Sequence, residues 1–336
     1  MSRRVTITDV VLGNPYLVQV NLLTDCIYRC DYCYLKELRD HKEQFLPLSR
    51  LKKFIKKFAV YKKLYGLELC LNLTGGDLWL HPEIGEVFNF VSLSPIVVKV
   101  GLMINSLWSD KSRDLILEIK PKLSSVQLNI DALLNREEDL VWLSNQGIRR
   151  SVKILLSQNR SYFQTQLITL KSLVKADPNL RVAVDRLCPV GVDQIGDVVN
   201  LESSLEMIDE IRNIVGSTYI EDDPLLLAVL IDKKVLPEDQ NFDESLRGCA
   251  IPGGGTVIFP DGSIKLCARI PDFSTGFEIE NFDLIKYVTK FSKVKKVYRK
   301  CSSCKLQTNC LGGCPASSYI ANGYKIGADI NCPRYA

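Results

Sequence analysis

Two groups of cysteines constrain this chain more than any other feature of its sequence. Ten of its twelve cysteines fall into spacings that suit iron–sulfur ligation. The first group lies in the run CIYRCDYCY and consists of Cys26, Cys30 and Cys33. The second group has seven members, which are Cys249, Cys267, Cys301, Cys304, Cys310, Cys314 and Cys332. Three thiolates can hold a [4Fe–4S] cluster and leave one iron without a protein ligand, which predicts an enzyme with an open metal position.

The overall composition excludes several classes of protein. The chain has 336 residues, of which 46% are hydrophobic, so it can bury the core of one large domain or of two unequal ones. Its formal net charge of +4 is well short of what a dedicated nucleic-acid-binding protein carries, so we expect no nucleic-acid partner. In a reducing compartment, twelve cysteines favour metal ligation or catalysis over a disulfide scaffold.

The sequence shows no feature of a secreted or membrane protein. The first residues, MSRRVTITDV, include two arginines but no apolar stretch of the kind that signal peptides have. The longest apolar run, Leu225 to Ile231, is too short to span a bilayer. We therefore expect a cytoplasmic protein without a membrane partner.

The first two-thirds of the chain alternates short apolar runs with longer amphipathic ones. This pattern predicts an α/β fold with a parallel sheet and right-handed crossovers. Six repeats are too few to close an eight-stranded barrel, so we expect a partial (β/α)6 TIM-like barrel that is open at one side. The predicted strands are Leu17 to Leu23, Leu67 to Leu73, Val97 to Ile104, Ser125 to Ile130, Val152 to Leu156 and Arg181 to Arg186.

The character of the sequence changes twice along the chain. Residues 1–200 carry the barrel pattern, and residues 201–245 form a bridging region. In that region we predict a helix at Leu201 to Val215, and Pro224 to Val235 is either a second helix or a buried segment. Residues 246–336 are loop-rich and lack the apolar residues for their own core, which predicts a C-terminal α+β iron–sulfur domain organised by metal clusters.

Two motifs follow the first two strands and meet at the carboxyl edge of the predicted sheet. The cysteine triplet follows the first strand, and Gly75, Gly76 and Asp77 follow the second. Two glycines let the backbone approach a ligand closely and an aspartate can hold an ammonium group, although the same residues also suit an ordinary turn. A structural zinc site is the alternative for the triplet, but such sites close with four ligands and only His41 lies nearby. Tyr32, between the second and third cysteines, can line a bound purine.

Together, these motifs resemble those of the radical S-adenosylmethionine (SAM) enzymes. The resemblance implies that the cysteine triplet binds a [4Fe–4S] cluster that also binds SAM. It implies that the Gly-Gly-Asp segment holds the methionine amino group, where the family more often ends in Glu. Asn105 follows the third strand and Asp131 the fourth, where the family often has Thr-Asn-Gly and Ser-x-Asp-Gly near the ribose; this chain lacks both glycines. Lys153 and Ser157 are the candidates for contact with the methionine carboxylate.

The second cysteine group resembles the SPASM extension of radical SAM enzymes, which holds two auxiliary [4Fe–4S] clusters. Its pattern is C-x12-G-x4-C, then C-x2-C-x5-C-x3-C, then a final C, with the glycine in a predicted hairpin turn at Gly262. The resemblance therefore implies three clusters in all. It assigns the outer auxiliary cluster to Cys301, Cys304, Cys310 and Cys332, and the inner one to Cys249, Cys267 and Cys314.

The inner auxiliary cluster is one ligand short. Its fourth iron is open to substrate, takes an oxygen ligand such as Asp243, or is bound by Cys188, which follows the sixth predicted strand. Cys188 is equally a candidate catalytic residue, as a hydrogen-atom donor, or an ordinary small core residue. We expect Cys70, inside the second strand, and His81, after the Gly-Gly-Asp loop, to pack rather than react.

The resemblance implies an oxidoreductase whose chemistry begins with SAM. An electron from a donor such as flavodoxin or ferredoxin would cleave SAM to methionine and a 5′-deoxyadenosyl radical, which removes a hydrogen atom from the substrate. SPASM-bearing relatives mostly modify ribosomally made peptides by crosslinking, oxidation or epimerisation, so we expect a maturase that acts on a precursor peptide. Only about sixteen residues precede the first strand, so we expect a separate leader-binding protein, or the barrel rim, to bind the leader.

Other functions stay open from the sequence. In sulfatase-maturing relatives an Asp follows the second SPASM cysteine, and Ala268 stands there in this chain, which disfavours that activity. A SPASM-type dehydrogenase of a small-molecule alcohol is the next hypothesis, and a non-catalytic iron–sulfur electron carrier is the third. The small charge excess disfavours an RNA-modifying role.

Overall fold

The computed structural model describes most of the chain. The described residues are 15–38, 45–107, 109–188, 198–216, 219–221, 223–233, 255–270, 272–291, 301, 303–306, 310, 312–319, 323, 325 and 327–332. Within these residues, we find no helix that combines the length and the apolar character needed to cross a bilayer.

One sheet of ten strands organises the described part of the chain. Its strands are β1 (Tyr16–Asn21), β2 (Leu69–Thr74), β3 (Val97–Ile104), β4 (Leu123–Asn129), β5 (Arg150–Leu156), β6 (Arg181–Arg186), β7 (Tyr219–Glu221), β8 (Gly255–Ile258), β9 (Ser263–Lys265) and β10 (Phe277–Glu278). They lie in the order β10-β9-β8-β1-β2-β3-β4-β5-β6-β7. Neighbours from β1 to β7 pair in parallel.

The sheet is an open partial barrel, which confirms the predicted fold. The six expected strands are present, and their ends lie within two residues of the predicted ones. The sequence analysis missed β7, which has only three residues. At the other edge, β8 pairs in parallel with β1, and β9 and β10 continue as antiparallel strands. The segment after residue 255 therefore extends the sheet of the barrel itself.

Helices connect the parallel strands and cover the sheet. They are α1 (Leu48–Tyr65), α2 (Ile84–Leu93), α3 (Asp110–Ile119), α4 (Glu137–Asn145), α5 (Arg160–Ala176), α6 (Leu201–Val215), α7 (Pro224–Asp232), α8 (Leu284–Phe291) and α9 (Pro315–Tyr319). α6 has the predicted bounds, and α7 shows that the second bridging segment is a helix. The Asp223 carboxylate caps α7, since it accepts hydrogen bonds from the N–H groups of Leu225 and Leu226.

The main core lies between the sheet and the helices. Strand residues such as Val18 are fully buried in it, and so is Phe58 of α1. Each large apolar side chain buried in this way contributes about 1.5–3 kcal/mol. Phe58 also stacks on Phe282, with 6.3 Å between ring centroids, and this contact packs α1 against the segment just before α8. The hydroxyls of Tyr16 and Thr256 share a buried hydrogen bond of 2.5 Å, which joins β1 to β8.

β6 ends in an arginine whose side chain is buried. Arg186 is 2% exposed and pairs with Asp223 at 2.9 Å and with Asp329 at 2.6 Å. Asp329 belongs to the C-terminal cysteine segment, and its Oδ2 accepts a hydrogen bond of 3.0 Å from the backbone N–H of Cys314. This network anchors that segment to the barrel. The domain boundaries at residues 200 and 245 stay predictions.

Candidate active site

The carboxyl ends of the parallel strands meet at one edge of the barrel, and the first cysteine group lies there. Cys26, Cys30 and Cys33 follow β1 in a loop where the N–H of Cys33 donates to the carbonyl of Cys30 at 3.2 Å. The Asp25 carboxylate accepts a hydrogen bond of 2.9 Å from the N–H of Cys26. Cys26 is buried, the other two are partly exposed, and none of the three forms a disulfide with another described residue.

The three thiols are close enough to interact electrostatically. Burial raises the pKa of Cys30, and negative charge on Asp131 and on the other two cysteines raises it further, whereas a hydrogen bond with Tyr32 lowers it. Among the described residues, no three His, Cys, Asp or Glu side chains converge on one point where a single metal ion could be held. A cubane instead gives each thiolate its own iron, and its cations compensate grouped thiolates. The donor set therefore fits a [4Fe–4S] cluster.

Gly75 and Gly76 let the loop after β2 lie directly against the cysteine loop. The N–H of Gly76 donates to the carbonyl of Leu23 at 2.8 Å, and the N–H of Asp77 donates to the carbonyl of Asp25 at 2.8 Å. A Cβ atom on Gly76 would lie 1.9 Å from the Asp25 oxygen, and Gly75 has a φ of 143°. The glycines thus serve a contact between two loops, and their approach to a ligand stays a prediction.

Asp77 has an unpaired carboxylate oxygen at this edge. Its side chain is 1% exposed, Oδ1 accepts a hydrogen bond from the N–H of Trp79, and Oδ2 has no partner among the described residues. Burial raises the pKa of Asp77 to about 6, although the N–H of Trp79 and the nearby polar side chain of Asn105 oppose this shift. The hydroxyls of Thr24, after β1, and Ser106, after β3, are also buried and have no hydrogen-bond partner among the residues that the structure describes. Orphaned polar atoms of this kind fit the amino group and other polar atoms of SAM.

Asp131, after β4, connects two tyrosines. It accepts a hydrogen bond from the hydroxyl of Tyr32 and another, of 2.7 Å, from the hydroxyl of Tyr162 at the start of α5. Asn105 lies beside the cysteine loop, with its amide nitrogen 3.6 Å from the sulfur of Cys26. The structure thus brings Tyr32, Asn105 and Asp131 to the cysteine edge, and their contacts with SAM stay predictions.

Three charged side chains lie at the same edge, beside β5 and β6. The buried carboxylate of Asp185 pairs with Lys153 at 2.6 Å and with Arg269, which donates to Oδ1 at 3.0 Å. Lys153 and Arg269 each carry one positive charge and Asp185 carries one negative charge, so the three side chains together have a net charge of +1. Ser157, the other candidate for the methionine carboxylate, accepts a hydrogen bond of 3.2 Å from the N–H of Asn159.

Three cysteines from different segments meet around Arg269. Cys188, directly after β6, is buried, and its sulfur lies 3.6 Å from the sulfur of Cys314. The guanidinium of Arg269 donates to the sulfur of Cys188 at 3.2 Å, and its backbone N–H donates to the sulfur of Cys267 at 3.4 Å. Cys188 therefore lies beside one predicted ligand of the inner auxiliary cluster, Cys314, and both Cys188 and Cys267 contact Arg269.

The predicted ligands of the outer auxiliary cluster form two pairs. The N–H of Cys304 donates to the carbonyl of Cys301 at 2.9 Å. Burial raises the pKa of Cys310 to about 12, and negative charge on Asp329 and Cys332 adds to the shift, so Cys310 and Cys332 lie near each other. Three further residues named from the sequence lie outside the described ones, namely His41, Asp243 and Cys249.

His81 and Cys70 lie in packed surroundings, as we expected. His81 is 2% exposed, its Nε2 contacts the carbonyl oxygen of Leu46 at 3.0 Å, and its Nδ1 accepts a hydrogen bond of 3.1 Å from the N–H of Glu83. Both ring nitrogens are therefore engaged by the backbone. Cys70 is buried within β2.

The sequence analysis missed Tyr162, Asp185 and Arg269. A signal for Asp185 was present, because Asp185 and Arg186 are two charged residues at the end of an apolar strand. Arg269 follows Cys267 by two positions, so the spacing placed it near the inner cluster. Tyr162 gave no signal, since it is one of several polar residues that begin α5.

Comparison with known sequences finds distant relatives. No protein-family model matches the chain. The GTP 3′,8-cyclase of Actinobacillus pleuropneumoniae serotype 3 is 28% identical over 141 residues, which cover 39% of each chain. The GTP 3′,8-cyclase of Staphylococcus haemolyticus is 23% identical over 221 residues, which cover 60% of this chain and 63% of that protein. The matches thus span less than two thirds of these curated relatives.

Solved structures match nearly the whole chain. SuiB of Streptococcus suis aligns over 96% of this chain and 78% of its own, with a TM-score of 0.68 and 16% identity. SuiB bound to precursor peptide SuiA gives a TM-score of 0.67. The protein anSMEcpe with bound AdoMet aligns over 96% of this chain and 91% of its own, with a TM-score of 0.63 and 13% identity. The resemblance to radical SAM enzymes with a SPASM domain is therefore confirmed at the level of the fold.

Proposed function

We propose that this protein is a radical SAM oxidoreductase with a SPASM-type domain that modifies a residue of a ribosomally made precursor peptide. One observation carries the proposal, namely that two separate sets of thiols lie at the same edge of the barrel. The Cys26 loop and the unpaired oxygen of Asp77 lie after β1 and β2, and Cys188 and Cys314 meet after β6. Neighbouring structures with bound SAM or a bound precursor peptide support this assignment.

The chain would bind and orient groups that supply the reactive chemistry. When bound, the first [4Fe–4S] cluster and SAM would provide a reducing electron and a carbon radical that takes a hydrogen atom. The carboxylate of Asp77 would hold the methionine ammonium group, since its free oxygen is buried and unpaired in the described part of the chain. The hydroxyls of Thr24 and Ser106 would satisfy further polar atoms. Asp131, fixed by Tyr32 and Tyr162, would position the nucleoside.

The substrate would lie between the first cysteine loop and the inner auxiliary set. The positive charge left by Lys153, Asp185 and Arg269 favours a peptide segment with an acidic side chain or a polar backbone there. The two auxiliary clusters would bring the total to three, in a reducing, cytoplasmic setting. We propose flavodoxin or ferredoxin as the class of electron donor, and a separate small protein or the barrel rim as the binding site of the leader.

The test is an anaerobic activity assay of the fully reconstituted protein. Three cubanes predict about 12 iron atoms per chain. With SAM and dithionite, we expect 5′-deoxyadenosine, together with a mass change in a precursor peptide encoded beside this protein. Replacing Cys26, Cys30 and Cys33 together by Ala should remove about 4 iron atoms and all 5′-deoxyadenosine. Cys70→Ala, a buried cysteine away from the loops, is the matched control and should change neither value.

The same assay also includes two other classes of candidate substrate. GTP is included because the sequence relatives are named GTP 3′,8-cyclases. A panel of small-molecule alcohols tests the dehydrogenase alternative, for which the product would be lighter by two hydrogens. Turnover of GTP or of an alcohol, with the peptide unchanged, would replace the peptide assignment. A fully iron-loaded protein that yields no 5′-deoxyadenosine with any substrate would support the electron-carrier alternative and refute the proposal.

A further inference from the structure

The inner face of the open barrel is lined with polar side chains. In β4, Val126 and Leu128 are fully buried in the core, and Gln127 between them is partly exposed. Successive side chains on a strand point to opposite faces of the sheet, so the residues that alternate with the core positions face the inside of the barrel. Closed barrels fill this space with apolar side chains, so a polar lining indicates a face that binds a ligand or water. Most of these inner residues are polar, among them Gln19, Asn72, Ser125, Gln127, Ser151 and Lys153, which are all partly exposed.

Two carboxamides lie near the middle of this inner face. Asn72 is paired in register with Gly101, and a Cβ atom on Gly101 would lie 2.4 Å from the Oδ1 of Asn72, so the carboxamide lies across β3. Gln127 lies in β4, two residues beyond the partner of Gly101. Among the residues that the structure describes, neither carboxamide has a hydrogen-bond partner. Both therefore have donors and an acceptor available for a ligand.

The inner face continues to the first cysteine loop. Tyr34 directly follows Cys33, and its hydroxyl donates to the carboxamide of Asn21 at 2.7 Å. The amide of Gln19 donates to the same hydroxyl at 3.4 Å. Both partners belong to β1, whose register places Gln19 beside Asn72 of β2. A ligand on the inner face would therefore lie beside the loop that carries the first cysteine group.

The cations of the inner face lie toward its two ends. Lys153 and Arg269 share the buried carboxylate of Asp185 toward the carboxyl edge, and Lys99 and Arg181 lie near the amino ends of β3 and β6. The carboxamides between these ends are neutral. The triphosphate of a nucleotide is best held by several cations at one place, or by the free N–H groups of a helix start. A carboxamide offers N–H donors and a C=O acceptor instead, which match the amide groups of a peptide.

We propose that Asn72 and Gln127 bind backbone amide groups of the substrate peptide, which lies extended across the inner face from β2 to β4. The proposal rests on the proposed function, because it takes a peptide as the substrate. The two strands are two strand spacings apart, about 10 Å, and an extended chain covers this distance with about three residues. The carboxamides thus determine where the peptide backbone lies relative to the first cysteine loop.

The peptide affinity of matched variants tests the proposal. The full, reconstituted protein is titrated anaerobically, in the presence of SAM, with the precursor peptide encoded beside it. Asn72→Leu and Gln127→Leu remove the hydrogen bonds and keep most of the side-chain volume, so each should weaken peptide binding by roughly 5- to 30-fold. Iron content and circular dichroism should stay unchanged. Gln164→Leu, at an exposed carboxamide on α5, is the control and should keep the peptide affinity of the unchanged protein.

N-methylated peptides identify the group that the carboxamides bind. Each peptide of the series carries one methyl group on a backbone nitrogen of the modified region, which removes one N–H donor. At one position the methyl group should weaken binding to the unchanged protein and cause no further loss in Gln127→Leu or in Asn72→Leu. Equal losses in all three proteins at every position would show that the carboxamides do not bind the backbone, and would overturn the proposal.

The remaining outcomes separate this proposal from the proposed function. Serine variants at the two positions replace any leucine variant that loses iron or its folded spectrum. If the variants bind and modify the peptide as the unchanged protein does, the two carboxamides are not substrate-binding residues, and the proposed function stands. Loss of GTP binding with unchanged peptide binding would assign the inner face to a nucleotide and would also overturn the proposal. An unchanged protein that neither binds the peptide nor forms 5′-deoxyadenosine would refute the proposed function itself.

Discussion

Arg186 and Asp329 form an ion pair of 2.6 Å between the last residue of β6 and the C-terminal cysteine segment, and both side chains are buried. Arg186 binds Asp223 at the start of α7 in the same way, at 2.9 Å. A buried cation between two buried carboxylates compensates charges that water does not reach. The C-terminal segment thus depends on the barrel for its position.

Arg186→Met should destabilise the protein strongly, because it leaves Asp223 and Asp329 buried without their cation. We expect a loss of about 3–5 kcal/mol in the free energy of unfolding, measured by urea denaturation under anaerobic conditions. Arg160→Met is the control, since its pair with Glu210 is exposed and should contribute less than about 1 kcal/mol. Equal losses in the two variants would show that the buried network does not stabilise the fold.

SAM binding should weaken at acidic pH because of Asp77. Burial raises the pKa of this carboxyl to about 6 in the SAM-free protein, and only the ionised form can pair with an ammonium group. Affinity should therefore rise with pH up to about 6 and level off above it, with about fourfold weaker binding at pH 5.5 than at pH 8. Calorimetric titration of the reconstituted protein with SAM measures this dependence.

The raised pKa of Asp77 affects the stability of the SAM-free protein in the opposite direction to SAM binding. The free energy of unfolding should be highest below the usual pKa of Asp, where the carboxyl is protonated, and it should fall as pH rises through about 6. Asp77→Asn should bind SAM weakly at every pH and lose both dependences. Asp110→Asn, at an exposed carboxylate, should keep them. An Asp77→Asn protein that binds SAM as tightly as the unchanged protein would exclude Asp77 from the ammonium site.

Gly76→Ala should disrupt the first cluster. The added Cβ would lie 1.9 Å from the carbonyl oxygen of Asp25, and a backbone atom held between two loops has little room to move. We expect the loss of about 4 iron atoms per chain and of SAM binding, measured by iron analysis and titration. Gly85→Ala in α2, where the nearest atom is 3.6 Å away, should retain both. Full iron loading of Gly76→Ala would contradict the tight contact between the two loops.

Tyr162→Phe should weaken SAM binding without loss of iron. The change removes the 2.7 Å hydrogen bond to Asp131 and keeps the ring next to Tyr32. A hydrogen bond to a charged group contributes about 1.5–3 kcal/mol, so we expect SAM binding to weaken by no more than roughly 10- to 150-fold in the same titration. Tyr65→Phe, at an exposed position on α1, is the matched control. Unchanged SAM affinity in Tyr162→Phe would separate Asp131 from the nucleoside site.

Much of the fold was predictable because local patterns and topology agree. The strands from β2 to β6 are short segments with several buried apolar residues, separated by helices, and this pattern has few solutions besides a parallel sheet. β7 was not predicted, because a strand of three residues is too short to show a pattern of apolar and polar positions. The pairing of β8 with β1 was not predicted, because the two strands are far apart in the chain and no sequence pattern indicates which strands pair at such a distance.

The residues of the candidate site were predictable only where they belong to a motif with a recognisable sequence spacing. The positions of the cysteines and of Asp77 follow from motifs at the ends of strands, whereas Tyr162 and Arg269 reach the site through tertiary contacts. The carboxylate of Asp185 was missed although Asp185 and Arg186 end an apolar strand, because the sequence does not indicate that Lys153 and Arg269 both pair with it. The meeting of Cys188 with Cys314 likewise depends on how β6 and the C-terminal segment are packed.

The hydrogen-bonding edge of β1 is completed by a strand that is made very late, because Tyr16 and Thr256 are 240 positions apart. During synthesis on the ribosome, this edge stays uncovered until most of the chain has been translated. Closing so long a loop is slow, and an uncovered strand edge is prone to aggregation in the meantime. Nascent chains of this protein should therefore depend on chaperones, and slowed translation near residue 255 should lower the soluble yield.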